Sequence, residues 1–182
     1  MNDLQLQHGY DWQGEDLTGW YLSEKHDGCR AYWDGATLWT RGGNVVKLPD
    51  DWHLPAGIAL DGELYDGGGT AGRARCSTAM RYGGRHFTGT MRFVAFDAPA
   101  AAVDWADRIR FAALVLDGNP HAVAVEWRIC HGTNDAIAFM RAIQSRGGEG
   151  LMLRRPGVLY TPGRTRDLLK VKEDCRDTRA AA

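Results

Sequence analysis

Several features are missing from this 182-residue chain, and each absence excludes a class of protein. No apolar run approaches the length of a membrane span. Residues 1–7 lack the basic start and apolar stretch of a signal peptide. The four cysteines form no C-x-x-C pair, which argues against a zinc or redox motif and favours unpaired thiols in a reducing compartment. We therefore expect a cytoplasmic protein with no membrane partner and, at 44% hydrophobic and 25% charged residues, an ordinary globular core.

Negative charge is missing from one long stretch. Between Gly67 and Phe96 there is no acidic residue, although five arginines fall there: Arg73, Arg75, Arg81, Arg85 and Arg92. From Arg141 onward the sequence has ten Lys/Arg and five Asp/Glu residues. Before Arg141 it has twelve Lys/Arg and eighteen Asp/Glu residues. This asymmetry suggests an anionic partner on one face, and a solvated basic loop is equally compatible with it.

Internal repeats and low-complexity segments are absent as well, and most apolar runs are short and end at Gly, Asp or Asn. Such runs favour strands over long helices. The dipeptide Asp34-Gly35 predicts a hairpin, because both turn positions tolerate positive φ. Strands are predicted at residues 19–25, 29–33, 37–40, 58–65, 91–97, 123–129, 151–154 and 168–172.

Two segments have the apolar spacing of helices. One is 104–116, and the other begins at a cap on Thr133 or Asn134 and ends at Ser145 before Gly147. The glycine-rich residues 66–70 predict a flexible loop that opens the arginine-rich stretch. Many strands with two helices predict an α+β domain built on antiparallel sheets over residues 1–172, followed by a short tail at 173–182.

Lys25 is the strongest candidate for chemistry, in the stretch Ser23-Glu24-Lys25-His26-Asp27-Gly28-Cys29-Arg30. A free lysine has a pKa near ~10.4 and is not nucleophilic at neutral pH. Desolvation and neighbouring cations favour the neutral amine, and Arg30, Lys170 and Lys172 could supply that charge. An exposed lysine at a strand end is the alternative.

Two carboxylates and two lysines could complete such a site. Glu63 lies within a strand-like apolar run and Glu149 at the start of another, and together they would suit Mg²⁺, which prefers oxygen ligands. Lys170 and Lys172 alternate along a strand, so their side chains share a face about ~7 Å apart and can reach one polyphosphate. Taken separately, each of these is compatible with an ordinary solvated residue. The aromatic run at 93–97 could be core or could stack on a base.

Taken in order, these segments resemble the nucleotidyltransferase motifs of ATP-dependent DNA ligases, a superfamily shared with RNA ligases and mRNA capping enzymes. The resemblance covers about Leu22 to Lys172 and is strongest to small bacterial and phage ligases. The matching segments are Ser23–Arg30 (motif I), Arg41–Asn44 (the R-x-G-N element), Asp61–Leu64 (motif III), Phe93–Asp97 (motif IIIa), Glu149–Arg154 (motif IV) and Lys170–Lys172 (motif V).

The resemblance implies a fold, a reaction and a set of site residues. The fold would be an antiparallel-sheet, ATP-grasp-like adenylation domain, in which Lys25 attacks the α-phosphate of ATP. The AMP would pass from Lys25 to the 5′-phosphate of nicked duplex DNA, and the protein would act as a monomer. Mg²⁺ or Mn²⁺ would sit at Glu63 and Glu149. The nucleotide site would comprise Ser23, Glu24, Lys25, Arg30, Glu63, Phe96, Met152, Lys170 and Lys172, and the DNA contacts Arg41 (nick phosphate), Arg73 and Arg75.

Two departures from the family pattern leave alternatives open. His26 stands where an apolar or aromatic residue is more usual. Only ten residues follow Lys172, so we expect the OB-fold domain that normally follows motif V to be absent. The alternatives are an RNA ligase or capping-type enzyme, although Lys-Val-Lys fits DNA ligases better than the Lys-Trp-Lys often seen in capping enzymes, and a non-catalytic nucleic-acid-binding module.

Overall fold

A computed structural model describes residues 4–172, over which the chain forms eleven strands and three α-helices. The strands are β1 (Gln7–Asp11), β2 (Tyr21–Lys25), β3 (Cys29–Trp33), β4 (Leu38–Thr40), β5 (Val45–Val46), β6 (Leu60–Tyr65), β7 (Arg92–Asp97), β8 (Ala122–Ala124), β9 (Trp127–Ile129), β10 (Gly150–Arg154) and β11 (Gly163–Lys172). The helices are α1 (Gly69–Tyr82), α2 (Trp105–Val115) and α3 (Thr133–Gln144).

The strands form two sheets. One has five strands in the order β1-β11-β10-β2-β9, and the other six in the order β5-β4-β3-β6-β7-β8. Most pairs are antiparallel, and β1 with β11 and β7 with β8 are parallel. The predicted α+β class with largely antiparallel sheets is confirmed.

Each sheet has its own hydrophobic core. Helices α1 and α2 pack on the six-stranded sheet, where Leu64 and Phe93 have no exposed surface, and α3 packs on the five-stranded sheet over Leu151 and Leu153. Fully burying one such side chain stabilises the fold by roughly 1.5–3 kcal/mol. The six-stranded sheet comes from one continuous stretch, 29–124, while the five-stranded sheet combines strands from before and after it.

The single strand predicted over 123–129 is wrong, because the chain changes sheets there. Val125 donates its N–H to the Ala95 carbonyl at 2.8 Å, which completes the pairing of β8 with the six-stranded sheet. Two residues later β9 pairs with β2 in the other sheet. An apolar run of this length has no feature that marks the crossing.

Helix α1 was not predicted, since we expected a flexible loop to open the arginine-rich stretch. The helix begins at Gly69, whose φ of +79° suits glycine. Its buried residues, Gly72, Cys76, Ala79 and Met80, are mostly small and spaced three or four apart. That apolar stripe is narrow, and the arginines around it conceal the helical period.

The predicted hairpin and the other two helices are present, with differences at their ends. The hairpin loop spans residues 34–37, and only Gly35 has a positive φ, +100°. The Asp34 carboxylate accepts hydrogen bonds from the N–H groups of Ala36 at 2.8 Å and Thr37 at 2.7 Å, which closes the turn. The cap of α3 is Gly132, so the prediction of a Thr133 or Asn134 cap is wrong.

The cysteine and membrane expectations can be compared with the described part of the chain. Cys29, Cys76 and Cys130 are free thiols, while Cys175 and the predicted tail at 173–182 lie outside the described residues. Among residues 4–172, none of the helices has the length and apolar character needed to cross a membrane.

Candidate active site

Three neighbouring strands bring the lysines together. Lys25 on β2 and Lys172 on β11 both pair with Gly150 on the strand between them, and one pleat further along Ser23 and Lys170 both pair with Met152. Paired residues lie on the same face of a sheet. Strand pairing therefore places on one face five of the nine residues predicted to bind the nucleotide: Ser23, Lys25, Met152, Lys170 and Lys172.

Glu149 joins two of these lysines. The Lys25 ammonium donates to Glu149 Oε2, and Lys172 Nζ lies 3.2 Å from Glu149 Oε1. Burial alone would raise the pKa of Glu149, but the hydrogen bonds and charges of Lys25 and Lys172 outweigh it, so the pKa lies below its ordinary value. The glutamate is therefore ionised at neutral pH and holds the two amines on either side of it.

Glu63 approaches the same lysine from the six-stranded sheet. Its Oε1 accepts a hydrogen bond from the Gly28 N–H at 2.7 Å. Because Gly28 is three residues after Lys25, this bond holds the Glu63 carboxylate close to the lysine's strand. A Cβ on Gly28 would lie 2.2 Å from the Leu64 carbonyl oxygen, so only glycine fits this close approach of strands. Burial raises the pKa of Glu63, against the opposing effects of the Gly28 N–H and the charges of Lys25 and Arg30.

Arg30 is held by a buried network that the sequence motifs do not reveal. Its Nε and Nη2 donate to the two carboxylate oxygens of Asp61 at 2.7 and 2.6 Å, and the guanidinium lies 4.8 Å from the centre of the Phe96 ring. Tyr160 donates its hydroxyl to Asp61 at 2.8 Å and accepts the Gln7 N–H at 2.8 Å. Asp61 belonged to a predicted motif, whereas Tyr160 lies outside all the predicted motifs.

Arg154 is buried next to Phe96, the residue predicted to stack on the base. It is 4% exposed, its guanidinium is 4.4 Å from the Trp105 ring centre and 5.8 Å from that of Phe96, and its Nη1 donates to Ser23 Oγ at 3.1 Å. Burial lowers the pKa of Arg154 to about 10, so it stays charged at neutral pH. Ser23 is thereby held in the interior, at 1% exposure.

Two residues next to Lys25 are engaged elsewhere. The Glu24 carboxylate accepts from Arg146, which follows α3, as expected for a side chain on the opposite face of the strand from Lys25. The His26 ring packs edge-on against Tyr65 at 4.8 Å, and burial lowers its pKa. The structure therefore places the Glu24 side chain apart from the lysine cluster.

The three arginines predicted to contact DNA have different surroundings. Arg41 is exposed in the turn after β4 and forms no ion pair among residues 4–172. Arg73 is exposed and lies 3.4 Å from Asp27. Arg75 instead holds the buried Asp66, donating to its carboxylate and, at 2.8 Å, to its backbone carbonyl.

This geometry can be compared with that of known proteins. The chain is 27% identical over 186 residues to the DNA ligase of Haemophilus influenzae, covering 96% of this chain and 66% of that relative. It is 28% identical to a solved Lig E DNA ligase, with a TM-score of 0.75 over 92% of this chain and 68% of the other. The solved Chlorella virus DNA ligase–adenylate is 18% identical, with a TM-score of 0.75 over 92% of this chain and 66% of the other. No family model matches the sequence.

The chain therefore has the fold of the nucleotidyltransferase domain of ATP-dependent DNA ligases, and the resemblance predicted from its motifs is confirmed. It spans about two thirds of the length of these relatives.

Proposed function

We propose that this chain is the adenylation domain of an ATP-dependent DNA ligase. It forms a covalent lysine–AMP at Lys25 and transfers the AMP to the 5′-phosphate of a nick in duplex DNA. The observation that carries the proposal is the Lys25 amine held by Glu149 beside Lys172. Glu63, bound to the Gly28 N–H, acts on Lys25 electrostatically from the six-stranded sheet. The DNA ligases of similar sequence and fold support the choice of reaction.

In the first step Lys25 Nζ attacks the α-phosphorus of ATP. A nitrogen–phosphorus bond forms, the bond from the α-phosphorus to the bridging oxygen breaks, and pyrophosphate leaves with that electron pair. The Lys25 proton must leave first, and the Glu149 carboxylate already accepts its hydrogen bond. Lys170 and Lys172 offset the negative charge that develops on the α-phosphate.

In the later steps the adenylate moves to DNA. The 5′-phosphate oxygen displaces Lys25 from the AMP phosphorus, and a 3′-hydroxyl then displaces AMP to seal the nick. Phe96 and Met152 are proposed to enclose the adenine, and Arg30 and Glu63 to hold the ribose. Arg41 would contact the nick phosphate, and the exposed Arg73 the neighbouring backbone.

A divalent cation fits the two carboxylates. No group of three or more His, Cys, Asp or Glu that could hold a metal occurs among residues 4–172. Mg²⁺ is commonly bound by one or two carboxylates together with substrate phosphates, which matches Glu63 and Glu149. Bound there, Mg²⁺ or Mn²⁺ would offset phosphate charge. A cytoplasmic monomer is proposed, on the grounds of composition and family resemblance.

Incubation with α-labelled ATP and Mg²⁺, followed by denaturing electrophoresis, tests the proposal. We expect an acid-labile adduct on the wild-type chain and on Lys47→Ala, which removes an exposed lysine elsewhere, and none on Lys25→Ala. Label retained by Lys25→Ala, or no adduct on the wild type, would contradict the mechanism. Comparing transfer of the AMP to nicked DNA and to nicked RNA then separates a DNA ligase from an RNA ligase.

A further inference from the structure

A cluster of positive charge lies beside the candidate active site, at the edge of the five-stranded sheet. It surrounds His8 on β1, which is the pairing partner of Arg164 on the neighbouring strand β11. Three further cations act electrostatically on the His8 imidazole: Arg30 from β3, Arg41 from the turn after β4, and Lys170 from β11. We call these five residues the edge cluster.

The positive charge of the edge cluster is only partly neutralised. Arg30 is paired with Asp61, and Lys170 Nζ lies 3.2 Å from Asp11. Arg41 and Arg164 have no carboxylate partner among the described residues, and Arg164 lies instead 5.3 Å from the centre of the Tyr10 ring. Two exposed guanidinium groups without carboxylate partners beside a histidine form a site suited to a phosphate.

His8 is the member of this cluster whose charge can change near neutral pH. Its side chain is partly exposed and forms no hydrogen bond within residues 4–172. Burial, and then the charges of Arg30, Arg41, Arg164 and Lys170, lower its pKa from the ordinary 6.5. In the empty protein at pH 7 the imidazole is therefore neutral.

We propose that His8 is an additional phosphate-binding residue, and that it takes up a proton from solvent when a terminal phosphate monoester occupies the edge cluster. The proposal rests on the proposed function, in which Arg41 faces the phosphate of a nick. A terminal phosphate carries about −1.5 to −2 charges at pH 7, against −1 for a phosphodiester, so it offsets more of the surrounding positive charge. The imidazolium then donates a hydrogen bond to the phosphate, and His8 favours a 5′-phosphate over a 5′-hydroxyl.

The sign of the pH dependence follows from linkage. The phosphate raises the pKa of His8 above its value in the empty protein. The gain in affinity is complete below the pKa of the empty state and is lost as the pH rises through the pKa of the occupied state. Uptake of one proton corresponds to a Kd that rises by up to about tenfold per pH unit across that range.

Calorimetric titration of the full chain without ATP tests this inference. Two nicked duplexes that differ only in a 5′-phosphate or a 5′-hydroxyl are titrated at pH 7 in buffers of different ionisation enthalpy, which gives the number of protons exchanged. We expect net uptake of protons when the chain binds the 5′-phosphate duplex and none when it binds the 5′-hydroxyl duplex. Uptake disappears in His8→Asn and remains in the control His53→Asn, which changes an exposed histidine elsewhere.

The outcomes separate this inference from the proposed function. Three results would overturn the role of His8. The first is equal proton uptake for the two duplexes, and the second is proton uptake retained in His8→Asn. The third is a chain that forms the Lys25 adduct but binds neither duplex. Proton release would also overturn it, because a cationic site without a titrating histidine expels a proton from the phosphate. Uptake that depends on His8 in a chain that forms no adduct would keep the inference and reject the proposed adenylation.

Discussion

Glu149 is the residue on which the candidate site depends most, since it contacts both Lys25 and Lys172. We predict that Glu149→Gln lowers the rate of lysine–AMP formation by about 10²-fold, because misplacing a reacting group by about 1 Å can cost that much. The ion pairs are partly exposed, so stability should change by less than about 1 kcal/mol. Rapid-quench labelling and thermal unfolding measure the two effects.

The matched control is Glu126→Gln, which changes an exposed glutamate outside the cluster. It should label at the wild-type rate. Labelling by Glu149→Gln within about threefold of that rate would show that Glu149 is not needed to place the amine.

Part of the residue-scale arrangement was predictable. Alternation along a strand indicated that Lys170 and Lys172 share a face, and their pairing with Met152 and Gly150 agrees. The role of Arg75 was not predictable, because its partner Asp66 is reached only when a helix forms. His8 and Tyr160 had no local signal. His8 reaches Arg164 through the pairing of β1 with β11, and Tyr160 contacts Gln7 and Asp61, which are 153 and 99 residues away in the sequence.

At the scale of elements, α1 presents two arginines with different surroundings. Arg75 holds Asp66, which also accepts hydrogen bonds from Thr88 and Thr90, whereas Arg73 is 67% exposed. We predict that Arg75→Gln destabilises the fold by about 1 kcal/mol, at the low end for a charged hydrogen bond because the arginine is half exposed. Arg73→Gln should leave stability unchanged and weaken binding to nicked DNA. Urea denaturation and a salt series of binding isotherms measure these effects.

Arg141→Gln on α3 is the control for both arginines, because its side chain is exposed and forms no ion pair or cation–π contact within residues 4–172. It should alter neither quantity. In the salt series, loss of one phosphate contact by Arg73→Gln reduces the log–log slope by about one. An unchanged slope in Arg73→Gln would remove α1 from the DNA-binding surface.

The elements differ in how well sequence patterns predict them. Strands with clear apolar runs, such as β3, β6, β7 and β10, lie within a residue or two of their predicted ranges. Strand β1 was missed because the run Gln7–Asp11 is largely polar, and it forms by pairing with β11. Helix α1 was missed because the residues that it buries are mostly small, so they form no clear apolar pattern at helical spacing.

At the scale of the whole molecule, Gly28 lies three residues after Lys25, where the chain crosses from the five-stranded to the six-stranded sheet. In Gly28→Ala the new Cβ meets the Leu64 carbonyl oxygen at 2.2 Å, so the start of β3 must move away from β6, which also shifts the Gly28 N–H that holds Glu63. We predict destabilisation of about 1–3 kcal/mol, as for overpacking, and a fall in adduct formation of about tenfold or more.

Gly89→Ala is the matched control, because a Cβ there meets nothing within 4 Å. Urea denaturation and ATP labelling apply to both variants. Wild-type labelling by Gly28→Ala would mean that the close approach of Gly28 to β6 does not control Lys25.

The division of the chain between the sheets has a consequence for its synthesis. Residues 29–124 supply every strand of the six-stranded sheet, so that sheet can form while the rest of the chain is still on the ribosome. Strand β2, which carries Lys25, pairs with β9 and β10, and β10 in turn with β11. The nascent chain therefore holds Lys25 apart from Glu149, Lys170 and Lys172 until β10 and β11 have been synthesised, and the lysine cluster assembles only after that point.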